Sequence, residues 1–142
     1  MTSMDLLPTI AAATGAPLPQ NKIDGLNFLP NWLGKTAKGP REVFYYYFGR
    51  NNLEGIRYKN WKLVLPHPSN SYAGLQGKSG KPGSITRVQV PLALYNLTHD
   101  PAEAHDVQTL FPEMVKLLMG FAEEARLDLG DDLTNRTGRN IR

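Results

Sequence analysis

The chain is expected to fold as an α+β protein: a small antiparallel sheet of three or four strands with a C-terminal helix packed on one face, plus an N-terminal helix outside that unit. Three observations carry this expectation. A dense aromatic and β-branched run, Val43-Phe44-Tyr45-Tyr46-Tyr47-Phe48, opens a series of strand patterns joined at hairpin spacing. From Pro112 to Leu127 the period changes, and Met114, Val115, Leu118, Phe121 and Ala122 form one apolar stripe of a helix. Strands that run together before a helix, instead of alternating with helices, argue against a doubly wound parallel sheet.

In chain order, Asp5 or Ser3 caps a first helix in which Leu7, Ile10, Ala11 and Thr14 follow the i, i+3, i+4, i+7 spacing and Gly15 closes it in the left-handed conformation. Pro8 favours the start at Asp5, because it then sits in the first turn, where a missing N–H costs little. Pro17, Pro19, Asp24-Gly25 and Pro30 break the next stretch, so residues 20–40 read as an irregular connection with a helical turn near Leu29 to Leu33. The segments from Glu54 to Tyr58 and from Trp61 to Leu65 flank Lys59-Asn60 as a two-residue hairpin, in which Asn tolerates a positive φ. Pro66 to Gly83, with Gly74, Gly77, Gly80 and Gly83 and only Tyr72 and Leu75 as large apolar or aromatic residues, reads as a long mobile loop. Leu92 to Leu97 is the next strand, opened by Pro91. After Gly130 the chain turns polar and is expected to fray. The resulting division is 1–40 as a helix and irregular connection, 41–132 as the α+β unit, and 133–142 as a polar basic tail.

Composition excludes several classes. Hydrophobic residues make up 41% and charged residues 20% of the 142, and no run approaches the roughly 18 apolar residues that cross a bilayer. The chain has no cysteine, which excludes a disulfide scaffold and thiolate metal sites. Residues 6–16 are apolar with no basic residue before them, unlike a secretory signal. A net charge of +3, with its excess at Arg136, Arg139 and Arg142, reads as a solvated tail and not as a nucleic-acid surface.

Four residues are candidates for binding. His67 leaves a strand end and enters the glycine-rich stretch, a place from which a sheet presents an imidazole to a ligand; a plain loop histidine is the alternative. Tyr45, Tyr46 and Tyr47 alternate faces along their strand, so at least one turns away from the helix-covered side. Core packing accounts for them, with Tyr46 the candidate for stacking on a sugar or aryl group. Arg50 and Arg57 lie near strand ends and suit either solvated ion pairs or bidentate capture of an anion. No metal site is expected: His99 and His105 are six apart, and Asp100, Glu103 and Asp106 lack the alternating ligands and central glycine of a calcium loop. No catalytic residue is assigned.

Three ordered motifs add a resemblance. Leu94-Tyr95-Asn96-Leu97-Thr98-His99-Asp100-Pro101-Ala102-Glu103, preceded by Gly55-Ile56-Arg57-Tyr58-Lys59-Asn60-Trp61-Lys62-Leu63 and by Ser3-Met4-Asp5-Leu6-Leu7-Pro8-Thr9, resembles the carboxyl-terminal end of the arylsulfatase family of the alkaline-phosphatase-like superfamily. The resemblance covers about residues 2 to 132. It implies a C-terminal subdomain that follows a large domain, and sulfate ester hydrolysis by the complete enzyme with a formylglycine and a calcium ion. Nothing here matches the family's Cys or Ser followed by x-Pro-Ser-Arg, and the chain alone is expected to be inactive, as a fragment whose nucleophile and calcium motifs would precede residue 1. In the family a histidine commonly follows the strand that precedes a Tyr-containing, Gly/Lys/Pro-rich loop, which here points to His67. The paired Asp131-Asp132 follows a helix, unlike the family's calcium-binding pair, and is not carried over. The implied partners are the large domain, or a second copy in a two-fold dimer through residues 4 to 14 or through the aromatic strand, together with a sulfated small molecule or carbohydrate. Neither nucleic acid nor a membrane is implied, and the setting implied is periplasmic or secreted. The alternative is a self-standing module that binds sulfated or anionic carbohydrate.

Overall fold

The structure is a computed structural model and describes residues 1–72 and 76–140. Its chain forms two compact units, one of residues 1–44 and the other beginning at Tyr45.

The first unit is organised by a buried carboxylate. Helix α1, Leu6–Thr14, is N-capped at Asp5 and stops at Gly15, whose φ of 74° supplies the left-handed turn. Asp5 has no exposed surface and accepts hydrogen bonds from the backbone N–H of Leu26 at 2.9 Å and of Thr2 at 2.7 Å, and from the Arg41 guanidinium. Burial opposes its charge, but these donors outweigh burial and bring its pKa down to about 2. Thr9 continues the network, donating to the Asp5 carbonyl at 2.6 Å and accepting from the Phe28 N–H at 2.9 Å. Phe28 precedes the short helix α2, Leu29–Trp32, where the helical turn was expected. The buried face of α1 is therefore Pro8, Thr9 and Ala11, whereas Leu6, Leu7 and Ile10 stand 43%, 53% and 52% exposed.

The second unit is the α+β body. Strands β1, Val43–Phe48, β2, Asn52–Tyr58, β3, Trp61–Val64, and β6, Ala93–Asn96, form one sheet in the order β1-β2-β3-β6. The β2–β3 hairpin closes at Tyr58 opposite Trp61, as the Lys59-Asn60 spacing predicts, but Lys59 and not Asn60 takes the positive φ, 53°. Ile56, Leu63 and Leu94 stand in one register row and are fully buried, the alternation placing them on a single face. Helix α3, Pro112–Leu129, covers that face with Leu118, Ala122 and Ala125, and Phe121 lies 5.3 Å from the Tyr58 ring. Each fully buried leucine here contributes about 1.5–3 kcal/mol.

Two expectations are corrected. His67–Ser71 is a strand, β4, and not the start of a loop; it pairs antiparallel with β5, Thr86–Val90, in a separate two-stranded ribbon. Backbone pairing alone builds this ribbon, since His-Pro-Ser-Asn-Ser has no apolar alternation, and Pro68 is tolerated because a two-stranded ribbon has only edge strands. Gly74 and Leu75 of the expected loop lie outside the described residues. The chain does not fray after Gly130 either. Gly130–Asp131, β7, pairs with Arg136–Thr137, β8, around a 3-10 turn at Asp132–Thr134. Asp131 holds this end, fully buried, accepting from Arg126 Nε at 2.9 Å, Leu53 N–H at 3.2 Å, Leu133 N–H at 3.1 Å and the Thr134 hydroxyl at 3.1 Å. Of the expected tail, Arg136 pairs with Glu123, while Arg142 lies outside the described residues.

Candidate functional site

The tyrosines of β1 divide as alternation requires. The Tyr47 hydroxyl donates to the Gly130 carbonyl at 2.9 Å at the end of α3, and burial, with Asp131 adding, pushes its pKa up to about 12. Burial also raises the Tyr45 phenol, with Glu124 and Asp128 of α3 contributing. Tyr46 turns to the opposite side and helps line a cleft of about 600 Å³ with Phe48, Lys62, His67, Asn70 and Arg87. Gly55 makes this arrangement possible, since a Cβ there would lie 3.2 Å from the Leu63 carbonyl oxygen and 3.6 Å from the Tyr46 ring.

The cleft has an aromatic wall on β1 and a polar wall on the ribbon. Between them, Lys62 Nζ sits 5.1 Å from the Tyr46 ring centroid and is held by both carboxylate oxygens of Glu103 at 2.7 Å. Glu103 reaches it from the Asp100-Pro101 turn with a φ of 55°. That turn is a hydrogen-bonded structure in its own right: Asp100 accepts from the N–H of Ala104 and His105, bonds that lower its pKa, and Asp106 accepts from Leu94 and Gln108.

His67 stands at the foot of the ribbon with both ring nitrogens occupied. Nδ1 faces the Leu65 carbonyl oxygen at 2.7 Å, and because a carbonyl only accepts, Nδ1 carries the proton there. Nε2 lies 3.2 Å from Glu54 Oε2. This histidine is therefore held at both ring nitrogens. Arg87 lies directly across the ribbon from Asn70, on an exposed strand.

Of the four residues singled out in the sequence, the structure brings Tyr46 and His67 together and leaves two outside the cleft. Arg57 is exposed and donates to the Lys59 carbonyl at 3.1 Å, and Arg50 is exposed in the turn between β1 and β2. Lys62, Asn70 and Arg87 were missed. Lys62 was legible in principle, because Lys62 and Val64 alternate with buried Leu63, and so was Arg87, because Arg87 and Gln89 alternate with Thr86, Val88 and Val90.

Among the described residues no group of three or more His, Cys, Asp or Glu side chains is placed to hold a metal ion. Asp131, Asp100 and Asp106 spend their oxygens on N–H and hydroxyl donors, so these three carboxylates are not free to hold a calcium ion. No helix among the described residues is long and apolar enough to cross a membrane.

An antiparallel sheet with a helix on one face, a cleft on the other and an acidic turn clamped to the third strand defines a small α+β subdomain. Residues 39–139 match the family model for the C-terminal region of aryl-sulfatase, and the chain belongs to that family. Similar proteins include arylsulfatase A of Homo sapiens, 33% identical over 112 residues, covering 75% of this chain and 22% of that protein. Arylsulfatase H of Canis lupus familiaris is 31% identical over 142 residues, covering 89% of this chain and 25% of that one. Among solved structures, a Bacteroides thetaiotaomicron protein from a genetic locus for the metabolism of multiple glycosaminoglycans superimposes with a TM-score of 0.59 at 25% identity, over 86% of this chain and 24% of its own. A protein in complex with its substrate D-glucosamine-2-N,6-O-disulfate shares the fold, with a TM-score of 0.55 at 20% identity, over 86% of this chain and 23% of its own. The chain thus spans about a quarter of the length of the relatives it matches.

Proposed function

We propose that this chain serves a sulfuric ester hydrolase as its C-terminal subdomain, and that its cleft forms one wall of the place where the organic part of a sulfate ester lies. The match of residues 39–139 to the aryl-sulfatase C-terminal region carries this reading. Tyr46 supplies an aromatic face to that wall, and His67 stands on its polar side; Arg50 and Arg57 stand outside it. In the complete enzyme the formylglycine, the calcium ion and the sulfate-holding residues come from the large domain, and the setting is periplasmic or secreted, as the family resemblance implies. The chain alone turns over no sulfate ester, because it contains no Cys or Ser followed by x-Pro-Ser-Arg. Purified chain incubated with an aryl sulfate, with and without calcium, should release no product above background, and turnover that survives repurification overturns the reading.

A second reading is favoured by one observation: every residue lining the cleft belongs to the unit that begins at Tyr45. On that reading the chain is a module that binds sulfated or anionic carbohydrate by itself. Saccharide binding by the isolated chain, with no hydrolysis, supports it.

A further inference from the structure

Three basic side chains, Lys62, His67 and Arg87, line the cleft, and they differ in the partners they already have. Lys62 is held bidentately by Glu103, and His67 faces Glu54 and the Leu65 carbonyl. An anionic ligand that recruited either one would have to displace an internal carboxylate, which offsets most of the gain. Arg87 is different: among the described residues no carboxylate pairs with it, and it stands exposed on the ribbon wall beside its cross-strand neighbour Asn70. Its planar guanidinium presents a fork that matches a carboxylate or sulfate group.

We infer that Arg87 is the specificity-determining residue of this cleft, selecting saccharide-sized ligands that carry an oxyanion, with Asn70 as a neutral donor beside it and the Tyr46 and Phe48 wall receiving the ring. The inference deepens the proposed function and rests on the cleft being a ligand wall. A volume of about 600 Å³ accommodates a sugar unit, within the roughly 300–1,000 Å³ usual for small-molecule sites. The reacting sulfate ester belongs to the large domain, so the group read by Arg87 is a second one: a carboxylate or another sulfate on the same saccharide.

The experiment titrates the whole chain with two probes, a disaccharide bearing one sulfate and one carboxylate and its neutral counterpart, followed by calorimetry and by the Arg87 Nε–Hε and aromatic resonances. The anionic probe should bind more tightly than the neutral one and shift Arg87. Arg87→Gln should weaken the anionic probe about tenfold, the loss of one charge-assisted fork, and leave the neutral probe unchanged. Arg87→Lys should restore part of the affinity, and Arg57→Gln, outside the cleft, should change nothing. Equal binding of the anionic probe by the native chain and Arg87→Gln overturns the assignment of Arg87 while the cleft reading survives. If neither probe moves the Tyr46 and Phe48 resonances, the cleft is not a saccharide wall and both readings fall together.

Discussion

Replacing Asp131 by Asn removes one charge from the most enclosed ion pair of the second unit and leaves its shape in place. Asp131 is fully buried and Arg126 is 9% exposed, so the guanidinium left behind cannot recruit water freely. Removing one partner of a buried pair typically costs about 3–5 kcal/mol. Here two features reduce that figure: the Asn carbonyl still accepts from the Leu53 and Leu133 N–H groups, and Glu123 still holds Arg126 through its other nitrogen at 2.7 Å. The expected loss is about 2–3 kcal/mol, rising to about 4 kcal/mol for Asp131→Ala, which also orphans the two N–H groups. Arg126→Met should cost less than either, because Asp131 keeps three donors without it. Urea unfolding followed by far-UV circular dichroism and tryptophan fluorescence measures each loss; Trp61, 4.8 Å from the Phe111 ring, reports on this unit. In a double-mutant cycle the Arg126→Met and Asp131→Asn effects should be non-additive by roughly 1–3 kcal/mol. A loss below about 1 kcal/mol for Asp131→Asn, or simple additivity, would refute the view that this pair fastens the C-terminal end.

Two further outcomes concern the first unit. Asp5 has a folded pKa lowered from an ordinary 3.8 to about 2, so its contribution is fully present above about pH 4 and drains away as pH falls from about 4 through about 2. Acid unfolding of the native chain should steepen in that window, and Asp5→Asn should be less stable at pH 7 but flatter between pH 4 and 2; an unchanged acid limb would contradict the network around Asp5. The face formed by Leu6, Leu7 and Ile10, about half exposed, is expected to drive self-association of the isolated chain at micromolar concentration. Light scattering should report a dimer, Leu7→Asp with Ile10→Asp should return it to monomer, and a monomeric native chain at that concentration would reject this expectation.

What the sequence disclosed follows from where side-chain period decides structure. The α3 stripe, the hairpin at Lys59-Asn60 and the α1 boundaries at Asp5 and Gly15 are all written as local residue patterns, and each was legible. The β4–β5 ribbon escaped because β4, His-Pro-Ser-Asn-Ser, has no apolar period, although Thr86, Val88 and Val90 alternate with Arg87 and Gln89 along β5. The partners of Asp131, Arg126 and Leu53, could not be named from the sequence, since the Leu53 bond spans 78 residues. The cleft was half legible: alternation required at least one of Tyr45, Tyr46 and Tyr47 to face away from the helix, and Tyr46 does, but the Lys62–Glu103 pair, 41 residues apart, depends on the assembled sheet. The positive φ fell on Lys59 because backbone geometry at the hairpin outweighed residue preference.

The fastening of the β1–β2 end also dictates when the subdomain is finished. Tyr47 bonds to Gly130 across 83 residues, Asn51 to Leu129 across 78 and Leu53 to Asp131 across 78. Closing so long a stretch of chain carries a loop-closure entropy that only the completed helix and its terminal turn repay. The β2–β3 hairpin, by contrast, needs only its two-residue turn. A ribosome therefore delivers the first half of the sheet long before the residues that fasten its β1–β2 end. Topology of this kind makes folding slow and end-to-end cooperative, and it assigns the last dozen described residues the part of a clasp.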